Sequence, residues 1–333
     1  MKRFFAAIIF ASALVLTLGS CRHKAAYRTF SGSVWATTFH ITYCADRALD
    51  DSILQVMRAV ELSLSPFEPQ STVSLVNSGQ SSATDPMMRR IITSSAEINR
   101  LSHGAFDPTV APLVNLWGFG YDNAKEPPTQ ERIDSALQLV GIRRVSIDAD
   151  ADTLRRPAGM TFDFSAITKG YGCDLIGEML RRNGCGDFMV EIGGEIALSG
   201  HNDRGEKWHI QIDAPVEGSA PGQEGAMVVA LTDCGVATSG NYRNFRPTAD
   251  GGKVWHTISP VTGRPAESPT LSATVIAHDC MTADALATAS MAMQPAEALE
   301  MIEAVPGASV LLITAAADGS LSFTTSSRFP KAE

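Results

Sequence analysis

Positive charge is in short supply here: 27 Lys and Arg residues stand against 36 Asp and Glu, a formal net charge of −9. That balance lacks the basic footprint on which phosphate-backbone binding depends, so no nucleic-acid partner is expected. The six cysteines show no Cys-x-x-Cys spacing, and no His-Glu-x-x-His or paired-histidine pattern suggests zinc. A Walker loop is missing too, since the chain has no glycine-rich run ending in Gly-Lys-Ser/Thr. No internal repeat, low-complexity tract or clear interdomain linker stands out. Only one long apolar run is present, at the amino terminus, so nothing further along the chain is expected to span a membrane.

That run reads as an address. Lys2 and Arg3 precede an apolar stretch over 4–18, broken only by Ser12 and Thr17, which leads into Leu18-Gly19-Ser20-Cys21. A small-residue site ending in cysteine has the shape of a bacterial lipoprotein signal, in which Cys21 is acylated and becomes the new terminus. Residues 1–20 are therefore expected as signal peptide, 21–27 as tether and 28–333 as the folded body. Acyl chains would supply the membrane affinity, roughly 0.8 kcal/mol per buried methylene. Loss of the leader makes the body two charges more negative and leaves Cys44, Cys173, Cys185, Cys234 and Cys280. Five is an odd number, no pairing is specified, and buried free thiols are the expectation.

Hydrophobic period places helices over 50–63, 85–102, 129–140, 169–182, 282–293 and 296–304. Strands are expected over 28–43, 187–192, 208–212, 227–231 and 270–277, with a strand from 160 turning sharply into a helix. A final hairpin, 309–314 with 320–325, turns through Asp318-Gly319. Residues 64–77, with Pro66, Phe67 and Pro69, read as a loop. Strands and helices mix without a βαβ rhythm, which favours an α+β fold of layered, largely antiparallel sheets flanked by helices.

Several segments carry chemistry. In Thr282-Ala283-Asp284-Ala285-Leu286-Ala287-Thr288, a carboxylate and a hydroxyl lie four residues apart in an otherwise small, apolar helix. That spacing puts both oxygens on one face, about one turn apart, a set suited to Mg2+. Ser102–Thr109 joins a helix to Trp117-Gly118-Phe119-Gly120, where glycine beside aromatics lets backbone approach a flat ligand. Asp163 and Lys169 flank a strand-to-helix junction, and free N–H groups at a helix start suit phosphate. Glu191-Ile192-Gly193-Gly194-Glu195 ends a strand on two glycines, plausible for close ligand approach. Thr238–Phe245 is densely polar, and His256 precedes the turn of Thr257-Ile258-Ser259-Pro260-Val261-Thr262-Gly263.

In this order and spacing the segments resemble the ApbE family of FAD:protein FMN transferases over nearly the whole mature chain. The resemblance implies an ApbE-like, T-fold-related body that is Mg2+-dependent and lipid-anchored in the bacterial cell envelope, at the inner membrane facing the periplasm. It implies splitting of FAD, attachment of the FMN half to a Thr hydroxyl of a target redox protein, and release of AMP. Such targets include subunits of Na+-translocating NADH:quinone reductases and Rnf-type or related flavoproteins. By the same resemblance Ala166, Asp284 and Thr288 ligate Mg2+, Ala166 through its backbone carbonyl, and His256 is the base. The FAD cradle would comprise Trp35, Phe67, Ala105, Phe106, Asp107, Asp163, Lys169 and Ile258. The sequence departs from the family pattern in four places. Trp35-Ala36-Thr37 replaces Met-Gly-Thr, Ser259 replaces an Asp, Phe67 replaces a Tyr-like residue, and Ala287 replaces an acid found in some relatives. An Mg2+-dependent FAD pyrophosphatase and a periplasmic FAD-binding lipoprotein are the alternatives.

Overall fold

The computed structural model describes residues 25–120, 127–216, 218, 222–241, 245–247, 253–315 and 320–333. The expected signal peptide with Cys21, residues 242–244 of the polar segment, and the Asp318-Gly319 turn lie outside these. In chain order the strands are β1 (Ala26–Val34), β2 (Thr37–Ala45), β3 (Ser146–Asp148), β4 (Thr153–Arg155), β5 (Phe188–Ile192), β6 (Glu195–Ser199) and β7 (Trp208–Asp213). They continue with β8 (Gly225–Leu231), β9 (Gly235–Gly240), β10 (Phe245–Pro247), β11 (Lys253–Trp255), β12 (Thr270–Ala277), β13 (Ser309–Ala315) and β14 (Leu321–Thr325). The helices are α1 (Asp50–Leu64), α2 (Thr72–Asn77), α3 (Pro86–Leu101), α4 (Ala111–Leu116), α5 (Gln130–Leu137), α6 (Ser165–Arg182), α7 (Cys280–Ala292) and α8 (Pro295–Glu303).

One eight-stranded sheet, ordered β1-β2-β5-β6-β9-β12-β13-β14, organises the chain, and its neighbours all run antiparallel. The α+β expectation with largely antiparallel sheet therefore holds. Both faces of the central strands are covered. Ala273, Val275, Val310 and Leu312 join the cluster beneath α7, whereas Ile276, Leu311 and Ile313 join the cluster under the β7–β8 hairpin. Burial on both faces explains why β12 and β13 read as continuous apolar runs rather than alternating ones.

Helix α7 is buried nearly all round, as its composition of Ala, Met, Leu and Cys dictates. Its amino end is capped by Asp279, whose side chain accepts the Thr282 N–H at 2.7 Å. From α6 the half-buried carboxylate of Asp174 accepts the Cys280 and Met281 N–H groups at 2.9 and 2.8 Å. Burial and the neighbouring Asp279 push Asp174 up to about 7, although both N–H donors pull the other way. The two helices cross so closely that a Cβ at Gly170 would overlap the Cys280 carbonyl, so this position requires glycine. The five described cysteines are free thiols, with Cys173, Cys185 and Cys280 buried.

Several expectations change. Residues 28–43 are not one strand but the β1–β2 hairpin, which turns at Trp35-Ala36. Both turn residues take positive φ, 48° and 60°, without the Asn-Gly pair that normally announces such a turn. No regular strand precedes α6, which starts four residues earlier than the pattern suggested. The 64–77 loop contains α2, capped by the Ser71 side chain on the Ser74 N–H. A residue with a Cβ costs roughly 1–2 kcal/mol in the left-handed region, against roughly 0.5–1 kcal/mol of backbone entropy for glycine. Ala36→Gly is thus expected to stabilise the fold by about 0.5–1 kcal/mol. The gain should be read as a higher urea midpoint at unchanged m-value; a lower midpoint would show that the turn is not strained.

Candidate active site

A cleft of about 720 Å³ opens where the amino end of α6, the middle of α7, the end of β9 and the segments 105–119 and 256–260 meet. Ten of the twelve candidate binding, metal and catalytic residues line it: Ala105, Phe106, Asp107, Asp163, Ala166, Lys169, His256, Ile258, Asp284 and Thr288. Trp35 and Phe67 do not. Trp35 packs its indole over α6, where a Cβ on Gly172 would overlap the ring, and it joins the partly buried fringe of the helix-side core. This is the work of the left-handed turn, which folds the side chain back onto the helix. Phe67 sits on the 64–77 segment, 75% exposed and away from the lining.

The walls are tied together before any ligand is considered. Asp163 donates its backbone N–H to the Pro108 carbonyl at 2.7 Å, and its Oδ1 accepts the Ser165 N–H at 2.9 Å at the start of α6. Asp107 is more fully committed. Its Oδ1 accepts Thr109 N–H and Oγ1–H at 2.9 and 2.6 Å, and its Oδ2 accepts Ile142 N–H and Asn99 Nδ2–H at 3.0 and 3.2 Å. Burial pushes this carboxyl up while Thr109 and Ile142 hold it down. With four donors on two oxygens, the Asp107 side chain braces the wall of the cleft.

Charge concentrates on the floor. Lys169 Nζ lies 2.6 Å from Glu195 Oε1; the lysine side chain keeps 31% of its surface exposed and the glutamate only 4%. Asp284 is 2% exposed, and its Oδ2 accepts the Gly170 N–H at 3.0 Å. Burial pulls the Lys169 ammonium down, but Asp284 and Glu195 together outweigh it and hold it above its ordinary value. Burial pushes Glu195 up, against the attraction of Lys169 and with Asp284 adding its like charge. Asp284 is also raised by burial, opposed by Lys169 and the Gly170 N–H.

Oxygens suited to a hard cation converge beside this cluster. Asp284 and Thr288 line the cleft from α7, and Ser239 Oγ lies 3.3 Å from Thr288 Oγ1. Ala166 lines it from the first turn of α6. The Gly170 N–H, whose helical acceptor four residues back is the Ala166 carbonyl, donates to Asp284, so that carbonyl competes with a carboxylate for its donor. Among the described residues, no group of three or more His, Cys, Asp or Glu converges as a metal cage. One carboxylate with hydroxyl and carbonyl oxygens fits Mg2+, which keeps waters and takes substrate phosphate oxygens for the rest of its shell. Ala287 is fully buried in the core, so it adds nothing to this set.

His256 follows β11 and meets Phe119 edge-on, ring centroids 6.5 Å apart. Beyond it, Ile258 bridges Pro265, and Ser259 Oγ accepts the Val261 and Thr262 N–H groups at 3.3 Å each. Ser259 thus braces the turn after the histidine. The motifs read from the sequence also bring Glu195, Ser239, Thr257 and Phe119 into the cleft, residues assigned no individual role from the sequence. Glu195 was visible only as the end of a Gly-Gly-Glu string, and nothing local announced its lysine partner.

The ApbE family profile matches residues 35–312 of the chain. FAD:protein FMN transferase of Vibrio cholerae is 34% identical over 332 residues, covering 96% of this chain and 97% of that protein. Among solved structures, the flavin transferase ApbE from Vibrio cholerae superposes with a TM-score of 0.80 at 34% identity, covering 92% of this chain and 98% of the other. The apo form of Pseudomonas stutzeri flavinyl transferase ApbE gives a TM-score of 0.80 at 29% identity, covering 92% and 97%.

Proposed function

This chain belongs to the ApbE family, and we propose that it is a flavin transferase that moves the FMN moiety of FAD onto a Thr hydroxyl of a protein acceptor, with Mg2+ as cofactor. The observation that carries this reading is the meeting in one cleft of Lys169, the oxygens of Asp284 and Thr288, and His256. In the proposed reaction the acceptor oxygen forms a bond to the FMN phosphorus while the P–O bond to AMP breaks. The acceptor proton goes to His256, since a Thr hydroxyl is a weak nucleophile until a base relieves it. Phe106, Ala105 and Ile258 give apolar walls for the rings, and Lys169 presents positive charge to the diphosphate. Mg2+ held by Asp284, Thr288 and the Ala166 carbonyl would neutralise charge growing on the diphosphate oxygens.

The leader and Leu18-Gly19-Ser20-Cys21 support a lipid-anchored protein of the cell envelope, and the inner membrane, facing the periplasm, is its proposed location. No helix among the described residues is long and apolar enough to cross a membrane. Acceptors of the proposed kind are subunits of Na+-translocating NADH:quinone reductase, Rnf-type complexes or related flavoproteins.

The test incubates the body from Arg22 onward with FAD, Mg2+ and an acceptor domain from the same organism. An acceptor mass raised by one FMN phosphoester, with AMP released, is the expected result. Free FMN and AMP beside an unmodified acceptor would establish a pyrophosphatase instead. Bound but intact FAD would leave a flavin-binding protein.

A further inference from the structure

The motif Glu191-Ile192-Gly193-Gly194-Glu195 has an evident structural purpose that its place at the end of a strand did not disclose. Gly193 and Gly194 take φ of 64° and 101° and turn β5 back into β6. Glu191 braces that turn, accepting the Gly194 N–H on Oε1 at 2.7 Å while Oε2 meets His40 Nδ1 at 2.7 Å. A Cβ on Gly193 would sit 3.4 Å from Lys169 Cδ and 3.0 Å from Thr37 Cγ2 and Oγ1, so the bare backbone forms the bed on which the lysine stem lies. The turn then delivers Glu195 to the end of that stem, 2.6 Å from Nζ.

The second oxygen of Glu195 is unusual. Among the described residues Oε2 is buried without a hydrogen-bond partner, and Lys169 is the one ion-pair partner of this carboxylate. A buried polar atom without a partner is uncommon in a folded protein and calls for a reason. Lys169, in contrast, keeps part of its side chain open to the cleft.

We propose that Glu195 is a positioning residue: it clamps the Lys169 ammonium at a fixed point on the cleft floor, so that the substrate's diphosphate is held by a preset charge rather than a mobile one. This rests on the flavin-transfer reading above. A free lysine would follow the diphosphate wherever it settled, binding it well but stabilising no particular geometry. A clamped one favours the single placement in which phosphorus lies in line with acceptor and leaving group. The His40–Glu191–Gly194 contacts make the clamp rigid.

Four variants test it: Glu195→Gln, Glu195→Asp, Lys169→Met and the double variant Lys169→Met/Glu195→Gln. FAD affinity is read by quenching of flavin fluorescence, and kcat by AMP release at saturating FAD, both per folded protein. Glu195→Gln should lower kcat by about 10- to 100-fold, the usual effect of losing an orienting partner, with FAD affinity changed by less than about threefold. Glu195→Asp, which keeps the charge but is one methylene shorter, should recover part of that kcat. In the double variant the Gln substitution should cost little beyond Lys169→Met, because it acts only through the lysine. Wild-type kcat in Glu195→Gln, or losses that simply multiply in the double variant, would overturn the proposal. A merely structural role would lower the folded fraction and leave kcat per folded molecule unchanged. Failure of the wild-type protein to consume FAD would instead sink the flavin-transfer reading, leaving the two failures distinct.

Discussion

Asp284→Ala is expected to lower Mg2+-dependent turnover by about 10³-fold, the equivalent of about 4 kcal/mol of transition-state stabilisation, while FAD affinity measured without metal stays within about tenfold. The asymmetry follows from charge. Asp284 is an anion buried on the floor beside Lys169 and Glu195, so by itself it repels a diphosphate. Its removal takes away the carboxylate of the proposed cation site while leaving the Lys169–Glu195 pair to meet the substrate. The fold should tolerate the change, because alanine suits α7 and a carboxyl raised by burial is no asset to stability. The lost acceptor for the Gly170 N–H is the main cost. Initial rates across a Mg2+ titration, beside a thermal melt, check this; wild-type turnover at low Mg2+ in the variant would end the metal assignment.

His256→Ala should slow transfer by about 10²- to 10⁴-fold, the range general base catalysis contributes, with FAD still bound. Its residual rate should keep rising above neutral pH, where more of the acceptor hydroxyl ionises unaided. Single-turnover transfer with FAD pre-bound separates this from a binding defect. A variant that binds FAD poorly but transfers at the normal rate once saturated would make His256 a ligand-binding residue instead. The structure also bears on Ser259, one of the positions read from the sequence as a departure from the family pattern. Its hydroxyl takes N–H groups of the turn, so it helps hold the shape of the loop that follows His256. Hydrogen-bonding to Val261 and Thr262 needs only an oxygen at this position, and serine supplies one.

Much of the architecture was legible because its signals are local. The 3.6-residue period located α1, α3, α5, α6, α7 and α8 to within a few residues, since each buries one face or, for α7, all of them. Strands β6 and β9 escaped notice. Both are short, and β9 runs Gly235-Val236-Ala237-Thr238-Ser239-Gly240, with glycine at each end and little apolar bulk. They are strands because neighbours on both sides supply hydrogen bonds, which no local pattern encodes. The β1–β2 turn was missed for the complementary reason that its residues, Trp35 and Ala36, contradict their own conformational preference.

By itself the sequence determined the order of the motifs, and with it the family, and the placing of Asp284 and Thr288 one helical turn apart. Both are matters of spacing along a chain whose helical geometry is fixed. Only the tertiary structure decided which charges meet. Lys169 on α6, Glu195 at the start of β6 and Asp284 on α7 share a cleft floor because the sheet order and the close α6–α7 crossing bring them together. The same packing bound the Asp107 carboxylate to the protein and turned Trp35 onto a helix. Hydrogen bonds and ion pairs gain their strength, and buried charges incur their cost, from surroundings that distant parts of the chain assemble.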